Sequence, residues 1–103
     1  MTFLGQFQLD HFGPYTATQA VASKTGIHGA DTSSNVVQVL IPQDLAVEGN
    51  IFIIQDEGGN AGTNNIQITP LGGYNINGSG SVYIASNYSG RIVYFNGTNY
   101  YAY

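Results

Sequence analysis

The sequence predicts an all-β fold: a compact antiparallel β-sandwich, jelly-roll-like, of about eight or nine short strands with no long helix. Three observations predict it. Apolar and polar residues alternate in short runs, as in Ile66-Gln67-Ile68-Thr69. Turn formers, led by 14 glycines, punctuate those runs every ~8–12 residues. No window sustains the 3.6-residue period of an amphipathic helix.

In chain order, Phe3, Phe7 and Leu9 share one parity with Gly5, a strand pattern that His11-Phe12-Gly13-Pro14 breaks. Residues 1–14 thus read as an N-terminal arm or edge strand of a single domain spanning residues 1–103. Residues 15–22 read as a strand. Residues 23–35 carry Gly26, Gly29, Asp31 and Asn35 and read as an irregular crossover. Residues 36–41 form a strand stopped by Pro42, and a short helical turn follows with Gly49 as its stop.

Residues 49–70 are the centre of the pattern. Ile51, Phe52, Ile53 and Ile54 make a continuous apolar run, which predicts a strand covered on both faces. A loop rich in Gly and Asn follows, and then a strand over 66–70 with one buried face. Residues 74–77 read as a short strand closed by Asn77-Gly78-Ser79-Gly80. Residues 81–85 place Val82 and Ile84 on one face and Tyr83 on the other. Residues 91–95 and 98–103 flank Asn96-Gly97, the dipeptide favoured in a type I′ hairpin turn.

Composition narrows the function. Only 8% of residues are charged, against roughly 25% in an ordinary soluble domain. A surface so poor in charge resists association weakly, so we expect it to be covered by copies of itself or by a larger assembly. The net charge is −4, with Lys24 and Arg91 the only cationic side chains. Nucleic acid and anionic membranes are therefore unfavourable partners. No apolar run approaches the ~20 residues of a membrane span. The first residues lack a basic stretch, so no signal peptide is evident and synthesis in a cytoplasm is expected. With no cysteine, disulfides and thiolate metal sites are excluded.

Catalytic patterns are missing too. His11 follows Asp10, and Asp31 lies three residues after His28, but two histidines without repeated ligand spacing read as loop residues rather than a metal site. Asp56 and Glu57 are adjacent, so on an extended chain they diverge instead of converging on one bond. No nucleophile elbow and no phosphate-binding glycine motif occurs. We expect no enzyme activity, no cofactor and no metal. The three Asn-x-Ser/Thr triplets, at Asn77, Asn87 and Asn96, read as turn chemistry. Tyrosines at 83, 88, 94, 100, 101 and 103 are the remaining feature. About half of them must face a core, and the rest offer a contact surface for protein or sugar.

The second half resembles a β-rich domain of tailed-phage virion proteins found in tail fibres and head-decorating fibres. The residues that carry the resemblance begin with Ile53-Ile54-Gln55-Asp56-Glu57-Gly58-Gly59-Asn60-Ala61 and Ile66-Gln67-Ile68-Thr69-Pro70. They continue through Ile76-Asn77-Gly78, Val82-Tyr83-Ile84, Asn87-Tyr88-Ser89-Gly90 and Asn96-Gly97-Thr98-Asn99-Tyr100-Tyr101. The match covers roughly residues 36–103, with specificity in the order and spacing of the pieces. It implies a virion structural protein, made in the host cytoplasm. Here the domain stands behind a short N-terminal segment, with no heptads and no collagen-like stem. That favours a capsid decoration (cement) protein clamping neighbouring capsomers as a homotrimer. The alternative is a tail or fibre module that binds a host glycan or joins tail components. The expected partners are further copies of the chain and the major capsid protein or another virion protein. On this reading Phe3, Phe7, Leu9 and Phe12 contact the capsid, and Tyr88, Tyr100, Tyr101 and Tyr103 form the oligomer or aromatic surface.

Overall fold

The computed structural model describes residues 8–103. Nine strands follow one another: β1 (His11–Tyr15), β2 (Gln19–Val21), β3 (Gly26–Ala30), β4 (Val37–Ile41), β5 (Ile51–Asp56), β6 (Ile66–Pro70), β7 (Val82–Ile84), β8 (Gly90–Phe95) and β9 (Tyr100–Ala102). One 3₁₀ turn, Gln43–Leu45, falls where the sequence predicts a helical turn. The strands form a five-stranded sheet, in the order β1-β3-β5-β8-β9, and a four-stranded sheet, β2-β4-β6-β7.

The fold is all-β and two-layered, but it is not the antiparallel jelly-roll expected. β1, β3 and β5 are mutually parallel, as are β2, β4 and β6. Only β7, β8 and β9 enter antiparallel. The cause is connectivity. From β1 to β6 the chain changes sheet after every strand, so each return to a sheet runs in the same direction as the last. Parallel neighbours need a crossover connection, and here a strand of the opposite sheet supplies it. The result is three turns of a flattened coil, closed at one end by the antiparallel strands.

Two local expectations are corrected. His11-Phe12-Gly13-Pro14, read from the sequence as a break, itself lies in β1, whose register to β3 shifts between Phe12 and Tyr15; the strand expected over residues 3–9 falls largely outside the described residues. Residues 26–30 are not an irregular crossover but a strand flanked on both sides, with Gly26, His28, Gly29 and Ala30 buried. Small residues let the backbone approach its neighbours there, which is why the segment reads as turn. Residues 74–77 make only isolated bridges, from Ile76 to Ser79 and to Tyr100. Asn77 and Gly78 both have positive φ, and Ile76 and Ser79 exchange backbone hydrogen bonds of 2.8 and 2.9 Å around them. This is the type I′ geometry that the sequence assigns to Asn96-Gly97. At that second site only Gly97 has positive φ, and the Asn96 side chain instead accepts from the N–H groups of Thr98 and Asn99.

The core lies between the sheets. Val37, Val39, Ile41, Ile66 and Ile68 from one sheet meet Phe52, Ile54, Val93 and Phe95 from the other, with Ile76 and Tyr100 closing one side. Burial of these aliphatic side chains contributes on the order of 1.5–3 kcal/mol each before chain entropy is counted.

Candidate functional site

The candidate site is the outer face of the five-stranded sheet, and its origin lies in β5. Phe52, Ile54 and Asp56 point into the core and are fully buried. Period two then sends Ile51, Ile53 and Gln55 outward. The continuous apolar run predicts cover on both faces, yet the described residues cover only one fully: Ile51 is 46% exposed and Ile53 is half-buried. Cross-strand register extends the uncovered face in two rows. Ile27, Ile53 and Ile92 stand side by side on β3, β5 and β8. Ile51, Tyr94 and Tyr101 do so on β5, β8 and β9. The Tyr94 ring stacks on Tyr101 at 5.7 Å and on Tyr103 at 6.1 Å between centroids. Ile92, Tyr101 and Tyr103 are 48%, 41% and 76% exposed. The neighbouring Tyr103 hydroxyl, followed by partial loss of water, holds the Tyr94 phenol above its ordinary range.

At the β1 end of this face, His11 Nε2 meets Glu57 Oε2 at 2.7 Å. The pair is solvent-accessible, so its contribution to stability is small. Glu57 crosses the backbone of β3 directly over Gly29, where an added Cβ would run into its carboxylate. Gly29 thus leaves room for the Glu57 carboxylate over the strand; a side chain there would push that flexible end aside.

Two buried polar groups hold the frame behind the face. Asp56 accepts from the backbone N–H of Gly59 at 3.0 Å, of Ala61 at 3.0 Å and of Tyr88 at 2.9 Å. One carboxylate therefore closes the loop after β5 and pins it to the turn before β8. His28 is also buried. Its Nε2–H donates to the Lys24 carbonyl at 2.7 Å, since a carbonyl can only accept. Its Nδ1 is then the acceptor for the Tyr15 hydroxyl at 2.8 Å. Phe12 stacks on the imidazole at 5.0 Å, and Tyr15 lies parallel to it at 5.9 Å. Burial pushes the His28 pKa below its ordinary value, and the positive potential of His11 adds to this; the Lys24 hydrogen bond opposes it. The imidazole is a neutral packing element, and burial likewise raises the Tyr15 phenol.

The residues singled out by sequence fall into three groups. Tyr101 and Tyr103 lie on the exposed face, and Tyr88, 70% exposed, stands on the turn beside Gly59. Tyr100 is the opposite case: it is 1% exposed in the core, because β9 turns Tyr100 inward when it turns Tyr101 outward. Its hydroxyl has lost water, and the phenol pKa is pushed up to about 12. Phe12 is half-buried with its ring on His28. Leu9 is half-buried just before β1. Phe3 and Phe7 lie outside the described residues.

Sequence reasoning missed Ile27 and Ile92 as surface residues and Asp56 as a structural hub. The signals were present: an apolar run longer than one face requires, and a carboxylate leading a Gly-rich loop of unpaired N–H donors. Among the described residues, no three His, Asp or Glu side chains gather closely enough to hold a metal ion. Among the same residues, no helix is long and apolar enough to cross a membrane. Comparison with models of known families and with curated proteins returns no match.

Proposed function

We propose that this chain is a non-enzymatic structural protein of a virion, a capsid decoration protein that assembles as a homotrimer and clamps neighbouring capsomers. The virion part rests on the sequence resemblance. The assembly part rests on one observation: the strand with the longest apolar run leaves half of that run in water, continuous with exposed Ile92, Tyr101 and Tyr103. The isoleucine and tyrosine rows adjoin across neighbouring strands, and a contiguous exposed apolar patch of this kind is often functional. Its aromatic, uncharged character is that of the buried centre of an interface. In this mechanism the subunits cover the face with one another. Linked weak contacts to the shell then act at high effective concentration, so modest affinities sum to tight clamping.

Light scattering on the pure protein tests the assembly step. The native chain is expected to run as a trimer. Ile92→Glu places a charge at the centre of the face without touching the core and is expected to yield folded monomer. A native monomer at micromolar concentration would remove the reading. Capsid occupancy after deletion of residues 1–9 tests the shell contact, and undiminished occupancy would exclude that segment from it.

A further inference from the structure

Beside the apolar face lies a cleft that assembly leaves unexplained. It occupies about 390 Å³ where the edge strand β7 passes the start of β8 and the end of β9. Tyr83, Ile84, Ser86, Ser89, Arg91 and Tyr103 are among its lining residues. Arg91 is the only arginine in a chain of six acidic and two cationic residues. It shares inward parity with Val93 and Phe95 on β8, yet it does not enter the core. Its Nε–H donates to the Tyr83 carbonyl at 2.8 Å, which ties the side chain across the gap between the two sheets. The terminal amino groups of the guanidinium make no hydrogen bond or ion pair among the described residues. A cation fixed at one atom, with its fork unused, is a preorganised anion site.

We infer that this cleft binds a carboxylate-bearing sugar, a hexuronic acid or a related acidic saccharide unit. The carboxylate takes the two terminal amino groups of Arg91 side by side. The Tyr103 ring, 76% exposed, offers a flat surface for the apolar face of the sugar. Ser86 and Ser89 supply short hydroxyls for the ring substituents. A single guanidinium among neutral hydroxyls matches one negative charge better than the nearly two of a phosphate monoester. Apolar lining is limited to Ile84, Ala85 and tyrosine rings, which gives little anchorage to a hydrophobic peptide side chain. The cleft volume lies at the small end of ligand pockets, where one sugar unit with its substituents fits. The cleft shares only Tyr103 with the face proposed for assembly, and the two readings fail separately: light scattering decides the trimer, and the sugar titration decides the cleft.

The test is an NMR titration of the full chain with a hexuronic-acid disaccharide and with the neutral disaccharide of the same linkage. The acidic sugar is expected to bind saturably, with shifts centred on Ser86, Ser89, Arg91 and Tyr103. The neutral sugar is expected to bind at least about tenfold more weakly, the loss of one charge-assisted pair. Arg91→Gln is expected to remove the preference. Arg91→Lys keeps the charge without the fork and is expected to restore it only in part. Because Arg91 also ties two strands, Ser86→Tyr serves as a second variant that fills the cleft and leaves that tie in place. No saturation on the order of 10 mM sugar, equal binding of both disaccharides, or full binding by Ser86→Tyr would each overturn the proposal.

Discussion

Asp56 shows how a single side chain can decide a loop. The residues after it offer backbone N–H groups that no strand can pair, and one buried carboxylate takes three of them. Asp56→Asn keeps the shape but loses an acceptor, and its amide N–H₂ must face at least one backbone donor, that of Gly59 when its oxygen serves Ala61 and Tyr88. We expect a loss of about 2–4 kcal/mol, read from urea unfolding, given that hydrogen bonds to a charged group contribute ~1.5–3 kcal/mol each. His28 gives a second residue-scale expectation, on pH. Its folded pKa lies below the unfolded value of about 6.5, so above that pH both states are neutral and its contribution is complete. As pH falls below ~6.5 the unfolded chain takes the proton first, and stability declines until the folded pKa is passed. Protonation also ends the acceptance by Nδ1 of the Tyr15 hydroxyl. The urea midpoint is therefore expected to fall between about pH 7 and pH 5. The fall should be smaller in His28→Gln, and parallel profiles for the two proteins would assign the decline to other groups.

At the level of elements, edges are where this fold needs explanation. β9 is the outer strand of its sheet, and its outward N–H and C=O groups would otherwise face water or another chain. Asn77 covers them. Its side-chain amide donates to the Ala102 carbonyl at 2.9 Å and accepts from the Ala102 N–H at 2.9 Å, imitating a strand neighbour. The Asn77 backbone N–H adds a bond to the Tyr100 carbonyl. Asn77→Ala is expected to cost about 2–3 kcal/mol, from two side-chain bonds at ~1 kcal/mol each and a left-handed backbone that Asn tolerates better than Ala, and to speed hydrogen exchange at Ala102 selectively. Unchanged protection at Ala102 would mean that β9 holds its edge unaided. This element also marks how far the sequence could be read. β4, β6 and β7 were legible because branched and aromatic residues alternate there with polar ones, and β8 and β9 because aromatic runs flank Asn96-Gly97. β1 and β3 were not, because His-Phe-Gly-Pro-Tyr and Gly-Ile-His-Gly-Ala are written in turn residues, and only packing against β5 makes them strands. Strand direction was also illegible. An Ile66–Pro70 pattern is the same beside a parallel β4 or an antiparallel one, and the partner is decided by where the connections lead.

For the whole molecule, the question is what completes a surface with so few ions. Tyr101 and Tyr103 were legible as contact residues, but the face as a whole was not. It is assembled from Ile27, Ile51, Ile53, Ile92 and Tyr94 on three separate strands, and only the register brings them together. The same register keeps charge off the two rows: the His11–Glu57 pair stands at the β1 end, and Arg91 is tied to β7 on the other side of its strand. Association through such a face depends on removing apolar and aromatic area from water, which simple salt does not screen. An interface held by ion pairs behaves in the opposite way, weakening as the Debye length contracts from ~10 Å at 0.1 M to ~3 Å at 1 M salt. The subunit dissociation constant, measured by sedimentation across that range of sodium chloride, is therefore expected to stay constant or to fall slightly. Sulfate, which strengthens apolar burial, is expected to tighten the assembly further. A dissociation constant that rises steeply with sodium chloride would place the contact elsewhere, on the few charged side chains rather than on the isoleucine and tyrosine rows.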